Sequence, residues 1–69
     1  MIVRDAHGNE LKDGDTVQVI RDLKVKGSSI NLKRGRTFKN IRLTSKSDEV
    51  EYREGRSTIV LKTMYLKKV

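Results

Sequence analysis

The residues able to do chemistry are few, and most of them resolve into turns. His7 is the single histidine, Asp13 and Asp15 flank Gly14, and Gly27-Ser28-Ser29 lies among lysines. A histidine acting as a general base needs a partner to orient it. His7 sits between Ala6 and Gly8, a setting that predicts a solvated turn. Two aspartates about a glycine suggest a carboxylate pair or the opening of a calcium loop. Such a loop needs ligands at further alternate positions, ending in a glutamate. Val17 and Val19 occupy those positions here, so a turn is expected instead. Gly27-Ser28-Ser29 would offer backbone N–H groups to a phosphate, but phosphate loops normally open onto a helix. None is predicted after it. No serine stands in a Gly-x-Ser-x-Gly elbow, the strained turn that presents a nucleophile. There is no cysteine, and one histidine cannot complete a zinc site of three or four ligands. The sequence therefore predicts no cofactor, no metal and no catalytic residue: not an enzyme.

What remains is charge. Sixteen basic and nine acidic residues give a net charge of +7. The excess is concentrated in residues 24–46, where Lys24, Lys26, Lys33, Arg34, Arg36, Lys39, Arg42 and Lys46 are interrupted by no acid. An ordinary solvated face mixes both signs, so the run points to an anionic partner. Lys24, Lys26, Lys33, Arg34, Arg36, Lys39 and Arg42 are the expected contacts. Guanidinium groups would take phosphate bidentately and lysines would act as point charges. Against a single-strand binder stands the shortage of stacking surfaces. The aromatics are Phe38, Tyr52 and Tyr65, and at least two of them read as core. The same shortage argues against a groove for proline-rich peptides, which needs an aromatic lining.

The elements that must carry these residues are short strands. Turn-forming Gly, Asn, Asp and Ser recur at close spacing between segments rich in β-branched residues. No stretch carries a helical period, and the pattern argues for a barrel or sandwich. Val17 and Val19 share one face of a strand. Leu23 and Val25 continue a two-residue alternation toward Gly27, with Lys24 and Lys26 on the opposite face. Lys33-Arg34-Gly35 turns the chain into a strand over residues 37–44. There Ile41 and Leu43 share a face and Phe38 is out of phase, so a bulge near Lys39-Asn40 is expected to return it to the core. Val50 and Tyr52 alternate with Glu49, Glu51 and Arg53. Glu54-Gly55 closes a hairpin into a strand whose Ile59 and Leu61 point inward. Thr63-Met64-Tyr65 breaks the alternation and predicts a single 3₁₀ turn before a last short strand. Five or six strands with one helical turn before the last is the pattern of a small SH3-like barrel. An OB-fold, which needs longer strands, is the rival.

With 69 residues there is room for one domain, 1–69. A core of this size rarely supplies more than about 3–5 kcal/mol of net stability. The longest apolar runs, such as Ile59-Val60-Leu61, fall far short of the ~20 residues of a spanning helix. They are also too short for the apolar stretch of a signal peptide. A cytoplasmic protein is expected.

Across nearly the whole chain these residues resemble the PhnA-like family of alkylphosphonate-utilisation-operon proteins. The resemblance rests on Val3-Arg4-Asp5, Gly8-Asn9, Asp13-Gly14-Asp15-Thr16-Val17 and Ile20-Arg21. Its most specific parts are Asp22-Leu23-Lys24-Val25-Lys26-Gly27-Ser28 and Lys39-Asn40-Ile41-Arg42-Leu43. It implies an SH3-like β-barrel. Longer members carry a cysteine-rich zinc ribbon ahead of this domain. A chain without cysteine is expected to represent the barrel alone. Some members bear the label phosphonoacetate hydrolase. Hydrolysing a carbon–phosphorus bond needs an activated nucleophile or a metal-bound water, and the residues for such a site are missing here.

The sequence thus predicts a non-catalytic binding module whose basic face contacts RNA or DNA phosphates. The alternative is a domain that docks on an acidic protein or on itself, with Glu49 and Glu51 meeting the basic face of another copy. An enzyme of phosphonate metabolism ranks third.

Overall fold

The computed structural model describes residues 2–24 and 31–69, with Lys24 described in its backbone alone. The described residues are all-β apart from one 3₁₀ turn at Thr63–Tyr65, the place where the apolar alternation breaks. Among the described residues there are ten short strands, twice the expected number at its lower bound. They are β1 (Val3–Arg4), β2 (Glu10–Leu11), β3 (Val17–Val19), β4 (Leu23–Lys24), β5 (Asn31–Leu32), β6 (Thr37–Phe38), β7 (Arg42–Leu43), β8 (Glu49–Glu54), β9 (Ser57–Lys62) and β10 (Leu66–Lys68). All pairings are antiparallel and form four small sheets: β1-β2, β10-β3-β6, β4-β5 and β7-β8-β9. Among the described residues these sheets do not close into one hydrogen-bonded barrel.

The extra strands arise where expected strands break. The segment over residues 37–44 was expected to be one strand with a bulge. It is two strands, because Asn40 takes a left-handed backbone conformation, φ 60°, which Asn tolerates better than most residues. The reversal lets Phe38 and Ile41 both reach the core although they are three residues apart. It also sends β6 to β3 and β7 to β8. The hairpin between β8 and β9 pairs Glu54 with Ser57, leaving a two-residue loop. Gly55, first in that loop, has φ 60°, the glycine-first pattern of a type II′ turn that matches strand twist.

Backbone bonds outside the strands tie the sheets together. Ala6 N–H donates to Leu66 O (2.9 Å), Val69 N–H to Thr16 O (3.0 Å) and Thr63 N–H to Asp48 O (3.0 Å). Gly14 N–H donates to Ile41 O (2.7 Å), and Ile41 N–H returns a bond to Asp15 O (3.1 Å). One core lies between the sheets. It contains Val3, Leu11, Val17, Val19, Leu32, Phe38, Ile41, Val50, Ile59, Leu61 and Leu66, with Leu23, Leu43 and Tyr52 packed at its margin. Burying each such side chain is worth roughly 1.5–3 kcal/mol. With no disulfide available, this burial is the main favourable term.

One buried acid joins the chain's two ends. Asp5 is 6% exposed. Its Oδ1 accepts from the backbone N–H of His7 (2.9 Å) and Asn9 (2.8 Å). Its Oδ2 accepts from Asn9 Nδ2 (3.2 Å) and from the backbone N–H of Lys68 (2.6 Å). Burial raises the Asp5 pKa, but these N–H donors outweigh it and hold the carboxyl below its ordinary value.

Candidate nucleic-acid interface

The expected contact residues divide into groups with different surroundings. Lys24 lies on β4, paired with Asn31, but its side chain and all of Lys26 fall outside the described residues. So do Gly27, Ser28 and Ser29.

Lys33 and Arg34 are exposed on the turn between β5 and β6. The turn is fixed from outside: the Arg34 backbone N–H donates to Asp22 Oδ1 at 2.8 Å. Gly35 N–H and the Gly35 carbonyl bond to Val19 O and Gln18 Nε2 respectively. Both cationic side chains project from a held backbone.

Arg36 is engaged by the protein itself. Its guanidinium donates to Glu54 Oε1 at 3.1 Å and stands 4.8 Å above the Phe38 ring centroid. The pair links the residue preceding β6 to the tip of the β8-β9 hairpin, so Arg36 serves the fold before it can serve a ligand.

Lys39 and Arg42 flank the chain reversal at Asn40, and there the surface becomes concave. A concavity of about 620 Å³ is lined by Lys39, Asn40, Arg42, Glu51, Tyr52, Arg53 and Thr58. Its origin is the break described above. β7 pairs with β8 only at Arg42↔Glu51 and Leu43↔Val50. Beyond Arg42 the chain turns away at Asn40, while β8 runs on through Tyr52 and Arg53, paired to β9 alone among the described residues. The gap between the departing chain and the continuing strand is the concavity.

Three cations and one carboxylate face it. Among the described residues, neither Lys39, Arg42 and Arg53 nor Glu51 has an oppositely charged side chain within ion-pairing distance. This contrasts with the acids elsewhere on the same sheet. Glu49 pairs with Lys62 Nζ at 2.9 Å, and Asp48 lies 3.4 Å from the same ammonium. Hydrogen bonds to Glu49, then to Asp48, raise the Lys62 pKa. Glu49 is thus occupied within the chain, where the sequence reading had offered it to a second copy.

Of the concavity's lining residues, sequence reasoning named only Lys39 and Arg42 as contacts, and two that it passed over matter most. Arg53 lies outside the acid-free stretch, so charge clustering along the chain passed over it. Tyr52 alternates with the buried Val50 and reads as core. It is only half-buried, with its ring 4.8 Å from Phe38 in an edge-on arrangement (63°). The other chemical candidates among the described residues do not line the concavity. His7 is exposed on its turn. Asp13 Oδ1 accepts from Leu43 N–H (2.8 Å), and Asp15 Oδ2 from Lys12 N–H (2.8 Å). Among the described residues no three His, Cys, Asp or Glu side chains gather as a metal site would require.

Comparison with known proteins decides the family. The YjdM family profile, described as the PhnA domain, matches residues 3–69. The chain belongs to the YjdM family. It is 48% identical over 69 residues to Protein YjdM of Escherichia coli strain K12, covering 99% of this chain and 62% of that protein. The YjdM homolog of Haemophilus influenzae is also 48% identical, over 99% of this chain and 53% of its own length. Protein YjdM of Streptococcus mutans is 43% identical, over 100% and 64%. The chain therefore spans roughly three-fifths of these YjdM proteins' length. The family resemblance carried by the residues around Asp22 and Asn40 is thereby confirmed. Among the described residues no helix is long and apolar enough to cross a membrane.

Proposed function

We propose that this YjdM-family domain is a non-catalytic binding module that holds nucleic-acid phosphates in the concavity beside β8. One observation carries the reading. Lys39, Arg42 and Arg53 converge on a single recess with no intramolecular counter-charge within ion-pairing distance among the described residues. Surface cations left unpaired around a concavity form a positive field that attracts a phosphate backbone. Lys33 and Arg34, on a turn held by Asp22, do not line the recess and are not counted among its contacts. Arg36, spent on Glu54 and Phe38, drops from the contact set. We read the architecture as SH3-like, with its barrel opened by the break at Asn40. The order of elements supports this: a run of short antiparallel strands, then a 3₁₀ turn, then a last strand that returns to pair with β3. We place the domain in the cytoplasm.

Self-association through Glu49 and Glu51 is the weaker reading, because Lys62 already neutralises Glu49. An enzyme of phosphonate metabolism ranks below it. The carboxylates that sequence offered for chemistry, Asp13 and Asp15, are bonded to backbone N–H groups.

The test is fluorescence polarisation with labelled oligonucleotides across a salt series. Three phosphate contacts predict a slope of log affinity against log salt of about −2 on single strands, at ~0.7 per contact. No binding at the lowest salt, where nonspecific attraction is strongest, would refute the proposal.

A further inference from the structure

The concavity has a composition that a bare phosphate does not explain. Lys39, Arg42 and Arg53 suit an anion, but Glu51 sits among them and would repel one. A carboxylate in a phosphate site makes sense when the ligand also brings hydrogen-bond donors, because an ionised carboxylate only accepts. Tyr52 supplies the other unexplained feature. Tyr52 lines the recess and is only half-buried although its strand alternation assigns it to the core, and its ring meets the buried Phe38 edge-on. A half-buried aromatic residue held against the core at the margin of a cationic recess is a platform on which a base of a single strand stacks. Nucleobases also carry the amino and ring N–H donors that Glu51 lacks.

Resting on the phosphate-binding reading above, we infer that the concavity takes one unpaired nucleotide of a single strand. Its base packs against Tyr52 and donates to Glu51, and the flanking phosphates lie on Lys39, Arg42 and Arg53. In a duplex the bases are stacked and paired, so neither Tyr52 nor Glu51 finds a partner. Single strands are therefore preferred, and the preference comes from Tyr52 rather than from charge.

The experiment compares single- and double-stranded oligonucleotides of one sequence by polarisation, for the natural chain, Tyr52→Phe and Tyr52→Leu. Loss of one stacked base predicts that Tyr52→Leu weakens single-strand binding about tenfold and leaves duplex binding within about twofold. Tyr52→Phe keeps both affinities, since it keeps the ring. Thermal melts establish that each variant is folded. A second measurement needs no variant: a nucleoside monophosphate displaces the labelled strand from the natural chain at lower concentration than inorganic phosphate does. Equal affinity for single strands and duplex, or displacement by phosphate and nucleotide alike, overturns this inference while leaving phosphate binding intact. No binding to either form overturns both.

Discussion

Replacing Asp5 removes the acceptor shared by the first turn and the last strand. In Asp5→Ala, the backbone N–H groups of His7, Asn9 and Lys68 lose the oxygen they donate to. At the low end of about 1 kcal/mol for each donor left unpaired, the loss is about 3 kcal/mol. A core this small rarely supplies more than about 3–5 kcal/mol, so Asp5→Ala is expected to be largely unfolded. Asp5→Asn is the informative variant. It keeps an oxygen for His7 and Asn9 but turns an amide N–H₂ toward the Lys68 N–H, and about 2 kcal/mol is expected to go. For a domain of this length that lowers Tm by about 8–16 °C. The pH dependence follows from the carboxyl being held below its ordinary value in the folded state. Its contribution is complete above the unfolded value near 4 and is lost as pH falls through the lower folded value. The gap between the natural chain and Asp5→Asn should accordingly be widest at neutral pH and narrow in acid. Urea denaturation followed by far-UV circular dichroism at several pH values measures it. A variant within about 0.5 kcal/mol of the natural chain at pH 7, the range of an ordinary surface change, would refute the reasoning. So would a gap that stays constant into acid.

Two further outcomes separate structural from binding roles. Arg36→Ala breaks an exposed pair with Glu54 and should cost no more than about 1 kcal/mol, seen as a small shift in denaturation midpoint, with oligonucleotide affinity nearly unchanged. Asn40→Val forces a β-branched residue into φ 60° and should destabilise by about 1–2 kcal/mol, whereas Asn40→Gly should be close to neutral, as thermal melts would show.

Much of the fold was legible because it depends on alternation. Val17 with Val19, Val50 on its strand, and Ile59 with Leu61 were assigned to the core by a two-residue period alone, and all are buried. The 3₁₀ turn was legible because Thr63-Met64-Tyr65 interrupts that period. What alternation could not give was the break at Asn40. One residue in a left-handed conformation converts an expected bulge into two strands serving different sheets. The signal was present in the residue type, since Asn is among the few that tolerate that region, but nothing local distinguishes a bulge from a parting of strands. The fate of Arg36 was illegible for a different reason. Its partner Glu54 is 18 residues away, and a charge count along the chain treats a paired guanidinium and a free one alike. The role of Asp5 was illegible because its strongest contact lies 63 residues away at Lys68. Tyr52 and Arg53 joined the site through the same parting of strands, and alternation placed only one of them, Arg53, on the open side.

The central claim is that phosphate binding belongs to the concavity rather than to the basic stretch at large. The most direct measurement is the salt slope of single-strand binding for the natural chain and for Arg42→Gln/Arg53→Gln, with Arg36→Gln as the control. Removing two of three contacts should reduce the slope from about −2 to about −0.7, and the control should keep the natural slope. An unchanged slope in the double variant, or a control that loses as much, would contradict the account.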